Sequence, residues 1–325
     1  MEGSKARLYE KKETYTVDYP QAIEFAQQQS DIFWLPDEID VEKDLHEIKT
    51  EFTEAEVHAV TTTLKLFTLY EMSAGQDYWG GRMASTFQRP DLQRMFSCFS
   101  YFELNVHAPF YNKLNEVLGL ADDDFYNSYL ESSTLSERME FIKGIISGEE
   151  DLKSIAVFSL IEGAILYSSF AFLKHFQAEG KNKLMNVCSG INFSVNDELL
   201  HAQAGAWLFR TLQEEMESSD EDRVAFGREL EQCARDILEH EKEIIAMLFE
   251  KGRIEGITEK QLSNFVESRL DICLEQLGYE KIFKPSYNPI ANWFYTNINA
   301  GQFTDFFAKI SSEYNRDWSE GKFEW

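Results

Sequence analysis

Basic residues are scarce in this chain. Its 325 residues include 31 Lys and Arg against 57 Asp and Glu, a formal charge of −26. Gripping nucleic acid through its phosphates requires clustered Lys and Arg, so that class of partner is excluded; an acidic protein of this kind repels copies of itself and suits basic protein surfaces. Cysteine is equally sparse. Cys98, Cys188, Cys233 and Cys273 lie far apart with no CxxC spacing, which argues against a disulfide framework or a zinc site and for reduced core thiols. Only 17 Gly and 6 Pro are present, too few for many short strands joined by tight turns and well suited to long helices. The opening residues, MEGSKARLYEKKETYTVDY, contain no apolar stretch of the kind a secretory leader carries, and the expected location is cytoplasmic.

What the chain does have is aromatic and aliphatic bulk, with 26 Phe, 14 Tyr and 6 Trp, ample for a packed core. The predicted class is all-α. A long helix opens at Thr53, which with Glu56 fits a capping box. A second starts near Pro90 and stops near Gly119. Further helices are expected over 135–147, 151–177, 180–215 and 221–252, and another after Thr258. The stretch IAVFSLIEGAILYSSFAFL, residues 155–173, carries one charge, Glu162, and is nearly long enough to cross a membrane. A lone Glu at the centre of a lipid-facing helix is costly, so this segment is expected to be the central helix of a bundle, apolar all round because neighbours surround it. No Pro/Gly/Ser linker interrupts the first 280 residues. The expected organisation is one helical domain over 1–300 followed by a mobile, acidic tail over 301–325.

The most apolar helices each contain an acid. Glu71, Glu103, Glu162 and Glu198 sit within runs of Phe, Leu, Ile, Met and Val, where an ionised carboxylate is expensive unless it is paired or bound to a metal. Glu198 and His201 are three apart and share a helical face. Glu103 and His107 are four apart in the aromatic setting FSYFELNVHAPFY. The order is lone Glu, Glu with His, lone Glu, Glu with His, as in two helical hairpins that build a carboxylate-rich dimetal site in a four-helix bundle. Hard oxygen donors with two imidazoles suit iron or manganese better than zinc or copper. The Glu42/His46 and Glu54/His58 pairs lie in charged contexts and are expected to be solvent pairs; His175 and His240 are assigned to structure.

These segments, in this order, resemble the radical-generating β subunit of class I ribonucleotide reductase over nearly the whole length. The likeness begins at FWLPDEIDVEKD, continues through LKLFTLYE, ELNVHAPFY, SLIEGAILYSSFAF and VNDELLH, and ends at DFFAKISSEY. The resemblance implies a ferritin-like bundle with extra helices. It implies a dinuclear metal centre held by Glu71, Glu103, His107, Glu162, Glu198 and His201, with oxygen as oxidant: two iron ions first, with dimanganese or manganese/iron as alternatives. It gives Tyr111 the place of the radical-bearing tyrosine, and Trp34 and Asp197 those of an electron and proton relay. Tyr314 takes that of the tail tyrosine that passes the radical equivalent on. The implied partners are a second copy of the chain and a large subunit that binds the nucleotide and receives the C-terminal tail; nucleic acid and membrane are not among them.

The chain departs from the common pattern in several places. Glu71 stands where Asp is usual, an acid of the longer type shared with a manganese/iron subset of the family. Glu103 and His107 are spaced by four where three is usual. Pro109 cannot donate to the carbonyl of Asn105, and a π-bulge that absorbs the extra residue is expected there. Leu166 and Ser194 replace bulkier residues near the radical position, giving a roomier or more polar pocket. Other occupants of such a scaffold are an oxygenase or desaturase acting directly on a substrate, a ferritin-like iron store, and a metal-free helical protein.

Overall fold

The computed structural model describes residues 6–295 and residue 298. Tyr314 and the segment 301–325 lie outside the described residues. Among those described, every regular element is helical.

Helix α1 is Pro20–Asp31, and α2 is Glu54–Met72, continued by a π-helical stretch, Ser73–Met83. Helix α3 runs as Pro90–Phe102, a π segment Glu103–His107, and Ala108–Leu118. Helix α4 is Ser133–Ser147. Helix α5 runs as Asp151–Leu160, a π segment Ile161–Ile165, and Tyr167–Lys174. Helices α6 (Met185–Glu215), α7 (Asp220–Leu248), α8 (Glu259–Gln276) and the short α9 (Pro289–Phe294) follow.

Local chemistry accounts for most of these limits. Thr53 caps α2 through a complete capping box with Glu56, satisfying donors that a helix start leaves open. Pro90 opens α3, and Gly119 closes it in the left-handed region at φ 74°, where a residue without Cβ carries no penalty. One expected start moves: α6 begins at Met185, not 180, because Asn182 and Leu184 take φ near 50° in the connecting turn. The connector after α3 forms a short helix, Asp123–Asn127.

Helices α2, α3, α5 and α6 form the central bundle, with α1 lying along α3 and with α7 and α8 packed on the far side. The apolar stretch of α5 is a core helix: its residues from Ser154 to Ser168 are all buried. The four cysteines are free thiols. His175 is buried and bonded through Nδ1 to the Phe172 carbonyl. His240 joins Arg138 to the Thr134 carbonyl, and Arg138 pairs with buried Glu241 at 2.6 Å. Both histidines are structural, as expected. His58 is not paired with Glu54 and contacts the Met247 carbonyl at 3.0 Å.

Candidate metal centre

Each of the four central helices turns one acid inward. Glu71 is the last residue but one of α2, two residues before its π stretch; Glu103 and His107 bound the π segment of α3; Glu162 lies in the π segment of α5; Glu198 and His201 sit on the regular α6. All six side chains are buried. A π turn takes one more residue than an α turn, so it brings positions i and i+4 onto the line that i and i+3 occupy in α6. The π segment anticipated at 103–107 is therefore what lets the longer spacing serve the same purpose. The other two π stretches have no such spacing to announce them.

The six groups converge. His107 Nδ1 lies 2.8 Å from Glu103 Oε2, 3.2 Å from Glu198 Oε1 and 3.6 Å from Glu71 Oε2. His201 Nδ1 lies 2.7 Å from Glu103 Oε1, 3.6 Å from Glu198 Oε2 and 4.0 Å from Glu162 Oε2. Two overlapping clusters result, Glu71–Glu103–His107–Glu198 and Glu103–Glu162–Glu198–His201, each with its donor atoms within 4.8 Å of one another. Glu103 and Glu198 belong to both, so each could serve two ions.

Electrostatics shows what this costs without a cation. Burial, and next Glu103, push the Glu71 carboxyl well above its ordinary range; burial and Glu198 do the same to Glu162. Burial opposes ionisation of Glu103 as well, yet the two imidazoles hold it far below the usual value. His201 is raised to about 9, its burial overcome chiefly by Glu103. Glu71 Oε1 and both oxygens of Glu198 are buried without a hydrogen-bond partner, and Glu103 Oε1 and His201 Nδ1 meet at 2.7 Å without completing an aligned hydrogen bond. Orphaned acceptors crowded together in a dry core call for positive charge among them. Two divalent ions carry four positive charges and match the four carboxylates. The donor set fits a dimetal centre.

Both histidines present Nδ1 to the acids because Nε2 is engaged on the other side. His107 Nε2 donates to Asp197 Oδ2 at 2.9 Å, and His201 Nε2 to Gln29 Oε1 at 2.9 Å. Gln29 Nε2 in turn donates to Asp197 Oδ1 at 2.7 Å, and the Trp34 indole to Asp197 Oδ2 at 2.8 Å. Such outer partners fix the tautomer and ring orientation of a ligating histidine. Trp34 is buried, while its neighbours Phe33 and Leu35 are 49% and 42% exposed, so the indole lies just beneath the surface.

Tyr111 is fully buried on α3, four residues after His107, with its ring 4.5 Å from Phe67 and 5.1 Å from Phe110. Its hydroxyl completes no aligned hydrogen bond. Burial, then the Glu71 charge, raise the phenol well above its usual range, and His107 and nearby Ser194 offset this only in part.

Two residues at the site were not anticipated. Gln29 joins the two histidines through Asp197, and the Trp79 indole donates to Glu162 Oε1 at 3.1 Å. Gln29 left a signal, since Ala22, Phe25, Ala26 and Gln29 form the buried stripe of α1 at i, i+3, i+4 and i+7; a glutamine in that stripe needs buried partners. Trp79 left none beyond being one aromatic among many.

Comparison with known proteins agrees with this geometry. The family model "Ribonucleotide reductase, small chain" matches residues 11–289. A protein of Invertebrate iridescent virus 3, named as a probable ribonucleoside-diphosphate reductase small subunit, is 27% identical over 312 residues, spanning 90% of this chain and 81% of the relative. The ribonucleoside-diphosphate reductase small subunit of Dictyostelium discoideum is 23% identical over 286 residues, 85% of this chain and 78% of the relative. In three dimensions, the crystal structure of dimanganese(II)-NrdF from Streptococcus sanguinis superposes with a TM-score of 0.77 at 18% identity, covering 87% of this chain and 99% of that one. With the family match spanning most of its length and two acid–imidazole clusters at its core, the chain belongs to the ribonucleotide reductase small-chain family.

Proposed function

We propose that the chain is the radical-generating subunit of a ribonucleoside-diphosphate reductase, storing an oxidising equivalent on Tyr111 that a large subunit uses to reduce ribonucleotides. The observation that carries this is the position of a buried phenol four residues after His107, beside two metal clusters that share Glu103 and Glu198. Glu71, Glu103, His107 and Glu198 would hold one ion; Glu103, Glu162, Glu198 and His201 the other. Two bound iron ions, or manganese in one or both places, supply the electrons that activate oxygen and the oxidising power that a phenol demands.

The protein's own part is positional. Full burial of Tyr111 in a shell that includes Phe67 and Phe110 keeps the phenol away from water and external reductants. Asp197 accepts from Trp34 Nε1 and His107 Nε2 on the same oxygen. When the indole gives up an electron, its N–H proton stays shared with that carboxylate. This line leads from the metal side to Phe33 and Leu35 at the surface and supports the relay role of Trp34 and Asp197. Phe33 and Tyr101 are exposed and pack on Phe102, and exposed Phe193 packs on Trp34. Assembly with a second copy follows from the family.

The remaining assignments follow from the family. Residues 1–300 form the metal-carrying domain, residues 301–325 dock on the large subunit, Tyr314 hands the radical equivalent across, and the assembly works in the cytoplasm. Deleting the residues after Asp317 tests the docking role. With a class I large subunit present, the truncated protein is expected to lose ribonucleotide reduction while retaining two metal ions per chain. Full activity in the truncation would contradict the assignment of the tail.

A further inference from the structure

Arg269 is a buried cation that forms no ion pair among the described residues. It is 2% exposed, and one of its terminal nitrogens has no hydrogen-bond partner. Its planar group lies over the Tyr167 ring, 4.0 Å from the centroid. Burying a guanidinium without a carboxylate is expensive, so its two remaining bonds need an explanation. Arg269 Nε donates to the Gly163 carbonyl at 2.9 Å, and Nη1 to the Tyr295 hydroxyl at 2.8 Å.

Gly163 follows Glu162 directly and lies in the π segment of α5. An extra residue in a helix leaves a carbonyl without its regular donor, and the guanidinium brings a donor to this stretch of backbone. Helix α8 also packs tightly against α5 at the same place. A Cβ on Gly163 would lie 2.3 Å from Cys273 Sγ and 3.2 Å from Ala202 Cβ. Cys273 stands four residues after Arg269, on the same face of α8. The turn carrying Glu162 is thus clamped from α8 by a thiol in contact and a guanidinium in hydrogen bond. Tyr295, just beyond α9, fixes the guanidinium from the other side.

We propose that Arg269 is a positioning residue for the metal ligand Glu162, and that Tyr295 braces it there. The inference rests on the dimetal reading of the site. It predicts an asymmetric effect, because Glu162 belongs to only one of the two clusters, while Glu103 and Glu198 serve both.

The test is a titration of the full-length metal-free protein with Mn(II), following free Mn(II) by electron paramagnetic resonance. Arg269→Gln is expected to weaken one of the two binding events, that of the ion held by Glu162, by roughly 10–100-fold, the range for losing an outer-shell partner, and to leave the other unchanged. Arg269→Lys keeps one donor for the Gly163 carbonyl and is expected to restore part of that loss; Tyr295→Phe should weaken the same event by less than Arg269→Gln does. A merely structural arginine would lower the two affinities together or neither. Two wild-type affinities in Arg269→Gln, or equal losses at both, would overturn the assignment. Should Arg269→Gln fail to fold, two wild-type affinities in both Arg269→Lys and Tyr295→Phe would overturn it instead. Wild-type protein that binds no Mn(II) would overturn the metal reading, and this inference with it, whereas two bound ions with unaffected variants would overturn the role of Arg269 alone.

Discussion

Glu198→Ala is expected to abolish tight metal binding at both positions. Glu198 offers one oxygen near His107 and the other near His201, at 3.2 Å and 3.6 Å, and belongs to both clusters. Removing it takes a donor from each ion at once and leaves the remaining acids to repel each other. Two unit charges about 4 Å apart interact by roughly 4 kcal/mol at an effective dielectric of 20, so a lost shared anion is felt across the whole site. Losing an outer-shell partner costs about 10–100-fold in affinity; losing a shared ligand should cost at least about 100-fold for each ion. Metal content after gel filtration measures this directly. The rise in thermal midpoint that a bound ligand produces in the wild-type protein should vanish as well. Two retained ions per chain in the variant would show that Glu198 is not a shared ligand.

Asp197→Asn is the second large effect. Three N–H groups converge on this carboxylate, from Gln29, Trp34 and His107. An asparagine keeps the volume but replaces one acceptor by a donor. If its amide nitrogen faces Gln29, two donors meet. Rotating the Gln29 amide to relieve that clash turns its own donor toward the N–H of His201, which now donates to Gln29 Oε1. If the nitrogen faces the other way, it meets Trp34 and His107 instead. No orientation satisfies all the groups, and an unmatched buried donor is costly. The expected outcome is that two ions still bind at saturating metal, while turnover with the large subunit falls by roughly 10²–10⁴-fold, the range for a positioned proton partner. Metal content and the rate of deoxyribonucleotide formation, measured on one preparation, separate the two effects. Unchanged turnover would remove Asp197 from the route between the metals and Trp34.

The parts of the site that could be read from the sequence are those where burial and charge conflict. Glu71, Glu103, Glu162 and Glu198 stand out because acids in apolar helical runs need a reason, and the structure places all four at one point with His107 and His201. The spacing of Glu103 and His107, one residue longer than the family's usual three, and Pro109, which cannot donate to the Asn105 carbonyl, pointed to the π segment found there. The π stretches at Ser73–Met83 and Ile161–Ile165 escaped notice because each follows or contains a single acid, and one residue defines no spacing. Trp79 and Arg269 were hidden for a related reason. Their partners, Glu162 and the Gly163 carbonyl, lie 83 and 106 residues away, and only the packing of helices brings them together. Tyr111, Trp34 and Asp197 took their roles from the family likeness; the structure adds the hydrogen bonds among Trp34, Asp197 and His107 and the full burial of the phenol.

The central claim is that this chain makes and keeps a radical on Tyr111. Its most direct test is the electron paramagnetic resonance spectrum of the full-length protein, loaded with Fe(II) without oxygen and then exposed to it, beside Tyr111→Phe prepared in the same way. The account predicts a tyrosyl radical signal in the wild-type protein and none in the variant, with two metal ions per chain in both. The same tyrosyl signal persisting in Tyr111→Phe would contradict it.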